Sequence, residues 1–406
     1  MAGYFYPENT ALTHLEKDLL QALTIAGHEV EVLCPIPTRG ITEEVRRAFR
    51  TRREETLYNG RVHVRRFWAP QEGRNPVIRA FRYFWCNLRE YQLGKRARDA
   101  ELILAISTPP TQGLLAGLLK RKLAVPFIYN LQDIFPDSMV NMGLTKRDSP
   151  LWKIGRRVEN AAYRYADKIV VISQDFQDNI MAKGVPAEKI VQIYNWINEE
   201  EVYFISREKN ALFDKYSLPR DKFFVAYSGN VGHSQNMDLL LDVASSLRER
   251  EDVRFVIVGE GACREHVEQR LRMENLSNVS LLPFQPYEDI ALVFSLGDVG
   301  LLISKSGVGS NSVPGKTWSY LSAGRPVLAS FDLDSHLCRL LSEEGIGVCV
   351  EPDNAESLRK AVLQLADHPA CLPDMGRRGR AYIENNLTAR IAAGKWLDLL
   401  DSIGGS

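Results

Sequence analysis

Apolar residues recur along the chain with the periods that mark helices and strands. Between residues 12 and 26 the leucines fall mostly three or four positions apart, which predicts an amphipathic helix. Residues 29–34 begin with alternating glutamate and valine, which predicts a strand. Further apolar runs, each followed by a helical pattern, cover residues 101–106, 126–131, 168–172 and 190–194. This alternation predicts a parallel sheet covered by helices on both faces.

A second series of the same kind begins near residue 223. Its predicted strands are short apolar runs at residues 223–227, 253–258, 279–282, 299–303, 326–331 and 347–350, with predicted helices at 236–248 and 357–365 among the connections. The predicted fold is therefore α/β, with two Rossmann-like doubly wound domains that face each other across a cleft. In such sheets, ligands bind beyond the carboxyl ends of the strands.

Domain boundaries follow from the one segment that interrupts the alternation. Residues 201–222 are charged, contain Pro219 and lack a long apolar period, which predicts a linker. We therefore expect an N-terminal domain over 1–200 and a C-terminal domain over 223–385. A last helix within 386–406 is expected to pack back towards the N-terminal domain.

Composition narrows the functional classes. Basic and acidic residues balance at 51 each in the 406-residue chain, so no global charge favours nucleic acid. The six cysteines form no CxxC pair, which predicts reduced thiols in a cytoplasmic protein and no zinc site. The opening MAGYFYPEN does not have the pattern of a secretory signal, and no run of about 18 apolar residues predicts a membrane span.

Two segments of the second half have the composition of a phosphate-binding site. The first, YSGNVGH at 227–233, ends a predicted strand with Gly229 and opens a helix, so its backbone amides can approach a phosphate. Its alternative is a plain strand-to-helix turn. The second segment follows the strand at 299–303 and enters a helix near Pro314, Gly315 and Lys316. We predict that the ammonium group of Lys316 binds an anion beside the free amides of that first turn.

Two further turns fall at the same edge of the predicted sheet. Glu260 and Arg264 lie in VIVGEGACR, where a strand meets a helix, and Phe284 and Gln285 lie in LLPFQP. The extended backbone of LLPFQP is suited to reading the edge of a nucleotide base. Each turn also fits a purely structural role, and an exposed helix residue is the alternative for Arg264. Their convergence on one edge favours a donor site.

The order of these motifs resembles glycosyltransferase family 4. The C-terminal half carries YSGN, FVIVGEGACR, NVSLLPFQP and PGKTWSYLSAGRPVLAS. The N-terminal half carries YFYPEN, GHEVEVLCP, STPP, YNLQDIFPDS and VENAAYRYADKIVVIS. The likeness covers nearly the whole chain and is strongest to the bacterial O-antigen and capsule branch, including L-fucosamine transferases. It implies the GT-B fold, a nucleotide-sugar donor, retention of anomeric configuration, and neither a cofactor nor a divalent metal.

Several positions depart from the family pattern. An arginine and a lysine that hold the diphosphate in many members are replaced here by Asn230 and Gln235. The paired glutamates of the family fall on Asn311 and Ser319, which hydrogen-bond without carrying charge. The histidine before the acidic turn of the first domain is Gln132. We expect Lys316 to take over neutralisation of the phosphates.

The resemblance also assigns the acceptor side and the mechanism. It places Glu8, Asn9, Thr10, Ser107 and Gln132 with the acceptor, and Asp133 is expected to orient it, with a turn or cap aspartate as the alternative. Front-face displacement needs no strong protein base, because the leaving phosphate takes the proton. The protein must supply positive potential at the β-phosphate, for which Lys316 is the first candidate and Arg264 the second.

A basic and aromatic segment points to a possible membrane contact. Residues 39–98 contain 16 basic and six acidic residues, and IRAFRYFW at 78–85 mixes arginines with aromatics. One interpretation is a peripheral surface on the inner face of the plasma membrane that admits a polyprenyl-diphosphate-linked acceptor. The other is an amphipathic helix whose aromatics lie in the core.

Two other functions fit a fold of this kind. A sugar-nucleotide 2-epimerase requires carboxylates for proton removal, which Asn311 and Ser319 do not provide. A catalytically silent nucleotide-sugar-binding protein is the second alternative, because the charged positions of the family are lost. The base of the donor is expected to be uracil.

Overall fold

The fold is described from a computed structural model of the chain, in which residues 1–8, 12–71, 76–141, 145–307 and 313–404 are described. The chain divides into two compact units. Unit 1 comprises Met1–Tyr194 and Ala389–Ser406, and unit 2 comprises Asn195–Thr388. Both units are α/β, as the sequence predicts.

Two sheets form the centre of unit 1. Its strands are β1 (Val30–Pro35), β2 (Glu54–Leu57), β3 (Val62–Phe67), β4 (Ile103–Ile106), β5 (Phe127–Leu131), β6 (Lys168–Val171) and β7 (Ile190–Gln192). One sheet has the order β1-β3-β2 and the other β4-β5-β6-β7, and the latter is parallel throughout. The opening residues link them, since Met1 donates to the Leu104 carbonyl and Ala2 to that of Leu33.

Helices cover these sheets. They are α1 (Thr13–Ile25), α2 (Glu43–Thr51), α3 (Pro76–Gly94), α4 (Gln112–Leu123), α5 (Asp137–Asn141), α6 (Pro150–Tyr165) and α7 (Gln174–Ala182). Strand β5 is buried along its whole length, which explains why its sequence is uninterruptedly apolar apart from Asn130.

The β1-β3-β2 sheet of unit 1 is not purely parallel, contrary to the sequence prediction. Strands β2 and β3 form an antiparallel hairpin in which Leu57 pairs with Val62. Its turn places Tyr58, Asn59 and Gly60 at φ values of 50°, 54° and 87°. Asn and Gly favour this left-handed backbone region, so the Asn59-Gly60 pair is the signal in the sequence that predicts the hairpin.

Unit 2 contains one six-stranded parallel sheet. Its strands are β8 (Phe223–Ser228), β9 (Val253–Val258), β10 (Val279–Leu282), β11 (Val299–Ile303), β12 (Val327–Ser330) and β13 (Gly347–Val350). Their order is β10-β9-β8-β11-β12-β13. The chain runs outwards from β8 in one direction and then from β11 in the other, so the order reverses between these two neighbours. That reversal is the switch point at which doubly wound sheets bind ligands.

Eight helices are described in unit 2. They are α8 (Ala211–Lys215), α9 (Met237–Ser246), α10 (Arg264–Met273), α11 (Ile290–Phe294), α12 (Lys316–Ser322), α13 (His336–Glu343), α14 (Ala355–Asp367) and α15 (Leu372–Asn386). Side chains of β8, β9 and β11 pack with α9 and α14 in one continuous core. The last helix, α16 (Ala389–Gly404), belongs to unit 1 and contacts α1 there.

Residues 201–222 are part of unit 2 and do not form the expected linker. Helix α8 buries Phe213, whose ring meets that of Phe224 edge to face at 5.5 Å. Arg207 forms an ion pair with Asp298 at 2.6 Å. The segment is polar on average, but Val202, Leu212, Phe213 and Leu218 are buried, and an average over the sequence window hides them.

Among the described residues, no helix combines the length and the apolar character that a membrane span requires.

Candidate active site

The switch point of unit 2 is formed by a close approach of glycines. Gly229 follows β8 with φ at +135°, and its amide donates to the Val258 carbonyl at 3.0 Å. A Cβ at Gly259 would lie 2.0 Å from the Gly229 carbonyl oxygen. Glycine is therefore required at both positions. The turn at residues 259–261, after β9, packs against the turn that follows β8.

Lys316 occupies this switch point. It is the first residue of α12, with Gly315 as the preceding cap, and its side chain extends towards Gly229. A Cβ at Gly229 would lie 2.8 Å from Lys316 Nζ. The ammonium nitrogen stands 3.8 Å from the centroid of the Tyr227 ring. Strands β8 and β11 are neighbours, so the helix that follows β11 reaches the end of β8.

The ammonium group of Lys316 has no counter-ion within the described part of the chain. Neither a carboxylate nor a hydrogen-bond acceptor of the described residues pairs with it. Burial lowers the pKa of Lys316 to about 7, because desolvation disfavours the charged amine. The residue as a whole is half-buried. An unpaired, desolvated cation at a switch point is suited to receiving an anionic ligand.

Asn230 and Gln235 lie in the loop after β8, which begins at Gly229. Their side chains approach each other at 3.5 Å, and Asn230 is exposed. The Asn230 carbonyl oxygen accepts a hydrogen bond from the Tyr227 hydroxyl at 2.5 Å. The loop is thus built around Gly229 as predicted, with neutral side chains where family members carry charge.

Arg264 does not provide a second free cation. Its Nε donates to Glu268 at 3.0 Å, and Glu260 lies 3.4 Å from its guanidinium. The same guanidinium donates to the carbonyls of Gly259 and Leu282. The arginine joins the ends of β9 and β10, and both neighbouring carboxylates pair with it, so the donor-binding role expected of Arg264 and Glu260 stays a prediction.

The turn with Phe284 and Gln285, which is predicted to contact the nucleotide base, has one side chain exposed and one hydrogen-bonded within the protein. Phe284 is exposed by 53 %, whereas the Gln285 side chain donates to the Tyr216 hydroxyl at 2.8 Å. Lys215 also donates to Gln285, at 2.9 Å. Gln285 therefore anchors the segment of α8 against the sheet, and Phe284 keeps a free ring face at the edge strand β10.

The segment that leads into α12 is described in part. Pro314 is half-buried, Gly315 is exposed and Ser319 is buried on the helix. Asn311, expected near the donor sugar, lies outside the described residues. Ser319 is three residues beyond Lys316 and so lies close to the same face of the helix.

Glu8 is a structural residue and not a free acceptor group. Its carboxylate is buried and accepts from the backbone amides of Thr38, Arg39 and Phe5 at 2.7, 2.9 and 3.2 Å. Burial raises the pKa of Glu8 despite these donors. The carboxylate thereby ties the opening segment to the loop after β1. Asn9 and Thr10, predicted beside it, lie outside the described residues.

Ser107, Gln132 and Asp133 meet at the carboxyl ends of β4 and β5. The Ser107 hydroxyl accepts from the amides of Gln132 and Asp133 at 2.9 and 3.1 Å. The Asp133 carboxyl accepts from the Ser138 side chain and the Ile134 amide, and burial raises its pKa. These contacts are those of an aspartate that caps a turn, which was the alternative reading of Asp133. A small cavity beside it is lined by Pro110, Tyr129, Leu131, Asp133, Phe135 and Glu159.

Helix α3 exposes two of its aromatic side chains and buries one of its arginines. Arg82 is buried and donates to the Pro70 carbonyl, whereas Phe81 and Phe84 are exposed by 53 % and 64 %. Ile78 and Leu88 on α3 and Trp68 before it are exposed as well. We call these five residues, Trp68, Ile78, Phe81, Phe84 and Leu88, the aromatic patch. The interpretation that the aromatics of α3 lie in the core is wrong for Phe81 and Phe84.

Two aspartates beside the switch point are not predicted from the sequence. Asp353 accepts from the Asn236 side chain at 2.6 Å and from the Ser306 amide at 3.0 Å, and Asp332 accepts from the Gly307 amide at 2.9 Å. Asp353 joins the loop after β11 to the loop after β8, and Asp332, which follows β12, holds the loop after β11. Lys305 lies in that loop and is exposed. No spacing in the sequence marks these contacts, because they join the ends of different strands.

Metal ligands are not grouped in the described ranges: no three His, Cys, Asp or Glu side chains there lie together in a way that could hold an ion.

Comparison with known proteins identifies the class. The family profile described as "Glycosyl transferase 4-like domain" matches residues 17–196, and that described as "Glycosyl transferases group 1" matches residues 222–368. Anabaena HepE, solved in complex with UDP, superposes with a TM-score of 0.73 at 16 % identity, covering 99 % of this chain and 100 % of that one. Together with two Rossmann-like units, these matches define a glycosyltransferase with the GT-B fold.

Two curated glycosyltransferases are similar to the chain over most of its length. The chain is 25 % identical to the probable glycosyltransferase WbjE of Pseudomonas aeruginosa, over 81 % of its own length and 82 % of the relative. It is 25 % identical to the putative colanic acid biosynthesis glycosyl transferase WcaI of Escherichia coli, over 94 % of each chain. The protein belongs to glycosyltransferase family 4.

Proposed function

We propose that the protein is a retaining glycosyltransferase that moves a sugar from a UDP-sugar to a lipid-linked acceptor during synthesis of a surface polysaccharide. The observation that carries this proposal is the unpaired ammonium group of Lys316 at the switch point, 3.8 Å from the Tyr227 ring. Two similar proteins support a nucleotide-sugar donor and a role in polysaccharide synthesis: HepE was solved with UDP, and WcaI is named for colanic acid biosynthesis. The narrower likeness to L-fucosamine transferases stays a prediction.

Lys316 acts on the leaving group in this proposal. As the bond between the sugar and the β-phosphate breaks, negative charge grows on the phosphate oxygens. A cation already desolvated beside Gly229 stabilises that charge without reorganising. The acceptor hydroxyl attacks from the face that the diphosphate leaves, which preserves the anomeric configuration, and its proton passes to the departing phosphate.

The reaction is proposed to run without a metal ion. One lysine then neutralises only part of the diphosphate charge, and the backbone amides that follow Gly229 supply the remaining polar contacts. Arg264 adds little, since Glu260 and Glu268 already neutralise it. Sugar transfer that persists in excess EDTA is the expected result.

Binding of UDP should weaken as the pH rises above neutrality. The pKa of Lys316 is about 7 in the free protein, and a bound diphosphate favours the charged amine and raises that pKa. Binding therefore takes up a proton between pH 7 and the raised pKa. The dissociation constant is expected to increase by about tenfold between pH 7 and pH 8.5. Isothermal titration calorimetry in buffers of different ionisation enthalpy measures both the affinity and the proton uptake.

Uridine is the control for this titration, because it lacks the diphosphate. Its affinity should change by less than about twofold over the same pH range, and the Lys316→Met variant should show no proton uptake with UDP. A UDP affinity that is constant from pH 7 to pH 8.5 in the wild-type protein would contradict the role given to Lys316.

The acceptor is proposed to reach unit 1 from an anionic lipid bilayer. The aromatic patch exposes large apolar side chains next to each other on α3, with Phe81 stacked on Trp85 at 6.4 Å and Trp68 edge to face with Trp85 at 5.8 Å. Residues 39–98 carry a net positive charge, and Arg47 in this range is exposed. Exposed aromatic side chains in a segment of net positive charge are suited to the interface of an anionic membrane.

Replacing both Phe81 and Phe84 with serine should weaken binding to vesicles that contain anionic lipid by at least about tenfold, because two exposed apolar groups no longer enter the interface. Co-sedimentation with vesicles at two salt concentrations measures this. Met273→Ser is the matched control, since Met273 is exposed by 86 % on α10, outside the patch. Equal sedimentation of the double variant and the wild-type protein would show that the aromatic patch does not bind the membrane.

A further inference from the structure

The ring of Tyr227 directly faces the proposed phosphate cation. Its ring centroid lies 3.8 Å from Lys316 Nζ, well within the range over which an ammonium group is attracted to an aromatic face. The ring is 1 % exposed, so water does not screen the contact. Tyr227 belongs to β8, a central strand, and Lys316 opens the helix α12.

The ring is fixed in place from two sides. Its hydroxyl donates to the Asn230 carbonyl at 2.5 Å, which closes the turn that contains Gly229. Strand β8 itself pairs with β9 from Phe223 to Ser228, so the backbone of Tyr227 is held within the sheet. One side chain therefore contacts both elements of the proposed phosphate site.

We propose that Tyr227 is a positioning residue of the donor site: its ring seats the Lys316 ammonium group and favours its charged form, and its hydroxyl holds the glycine turn. This inference rests on the function proposed above. The residue does not touch the sugar in this account, and it acts through Lys316.

The physical reason lies in the balance of two opposing effects on the lysine. Burial favours the neutral amine, and it lowers the pKa of Lys316 to about 7. The negative face of an aromatic ring favours the ammonium form. Among the described residues, Tyr227 on β8 is the one titratable side chain in contact with the amine, and no carboxylate from β8, β9, β11 or α12 pairs with it. Removing the ring therefore leaves burial unopposed.

Variants at this position separate the ring from the hydroxyl. Tyr227→Phe keeps the ring, whereas Tyr227→Leu and Tyr227→Met remove it and still fill most of the volume. We expect the midpoint of the pH dependence of UDP binding to fall by about one pH unit in the Leu and Met variants. Their affinity for UDP is then about tenfold weaker at pH 8 and only about twofold weaker at pH 6, where most of the wild-type amine and about half of the variant amine are charged.

The Phe variant tests the ring directly. Its pH midpoint should match that of the wild-type protein, with at most a uniform loss of affinity from the loosened glycine turn. A purely structural role for Tyr227 would weaken binding equally at every pH and would leave the midpoint unchanged. Circular dichroism and thermal melting of each variant establish that it is folded before titration.

Failure of this inference is distinguishable from failure of the proposed function. Wild-type UDP binding that depends on pH as expected would support the role of Lys316. If the Leu and Met variants then keep the wild-type midpoint, the Tyr227 ring does not favour the charged form of Lys316, and the inference is wrong. If Lys316→Met binds UDP as the wild-type protein does, the phosphate site itself is wrong. A lowered midpoint in both ringless variants, with the wild-type midpoint in Tyr227→Phe, supports the inference.

Discussion

Replacing Lys316 with methionine is expected to lower kcat/KM for sugar transfer by about two to three orders of magnitude. The substitution removes the ammonium group that faces Gly229 and keeps a side chain of similar length against the Tyr227 ring. Charge that develops on the β-phosphate then loses its nearest cation. Transfer of radiolabelled sugar to a lipid extract measures the rate, and calorimetry measures the accompanying loss of UDP affinity.

The same variant should be more stable than the wild-type protein when no nucleotide is bound. The pKa of Lys316 falls from its ordinary value of 10.5 to about 7 on folding, so the unfolded state binds more protons between these values. Stability of the wild-type protein therefore rises with pH across that window, and the penalty of the buried cation is complete below pH 7. At pH 6 we expect Lys316→Met to unfold with about 1 to 3 kcal/mol more free energy.

Lys305→Met is the matched control for both effects. Lys305 is an exposed cation at the end of β11, on the same edge of the sheet. Its replacement should change the free energy of unfolding by less than about 0.5 kcal/mol and leave most of the UDP affinity intact. A Lys316→Met protein that still gains melting temperature from UDP, as the wild-type protein does, would refute the assignment.

Substituting alanine for Gly229 is expected to reduce UDP affinity by at least about tenfold while the protein stays folded. The new Cβ would stand 2.8 Å from Lys316 Nζ and 3.1 Å from its Cε. The mobile end of the lysine moves in response, because the strand backbone is held by the sheet, and the ammonium group leaves the Tyr227 ring. The positive φ of Gly229 adds about 1 to 2 kcal/mol of backbone strain.

Gly184→Ala is the control that separates the effect of backbone strain from the effect of displacing the Lys316 side chain. Gly184 also has a positive φ, of 87°, but a Cβ there meets nothing within 4 Å. Its alanine variant should lose a similar amount of stability and bind UDP like the wild-type protein. Wild-type UDP affinity in Gly229→Ala would show that the contact between the glycine turn and Lys316 has no part in binding.

Much of the fold follows from local patterns. The structure confirms the bounds predicted for β9, β10, β11 and β13, because each is a short parallel strand made mainly of apolar residues. The predictions for residues 201–222 and for β2 and β3 are wrong for a common reason. Few of their residues are apolar, and those that are buried, such as Leu212, Phe213 and Val64, are buried by long-range contacts, so an average over a sequence window does not register them.

The candidate site shows the same division between local and long-range information. Gly229 and Lys316 are marked locally, by a glycine after a strand and a lysine at a helix start. Whether a charge is free depends on its partners: Arg264 and Glu8 have the residue types of a site, and their hydrogen bonds occupy them in the fold. The contact of Tyr227 with Lys316 exists because β8 and β11 are neighbours in the sheet, which no spacing in the sequence encodes.

A crystal structure with UDP would show whether Lys316 binds the diphosphate. We expect a β-phosphate oxygen within about 3 Å of Lys316 Nζ, next to the amides that follow Gly229. A diphosphate bound elsewhere in the protein, with the lysine still lying unpaired on the Tyr227 ring, would contradict it.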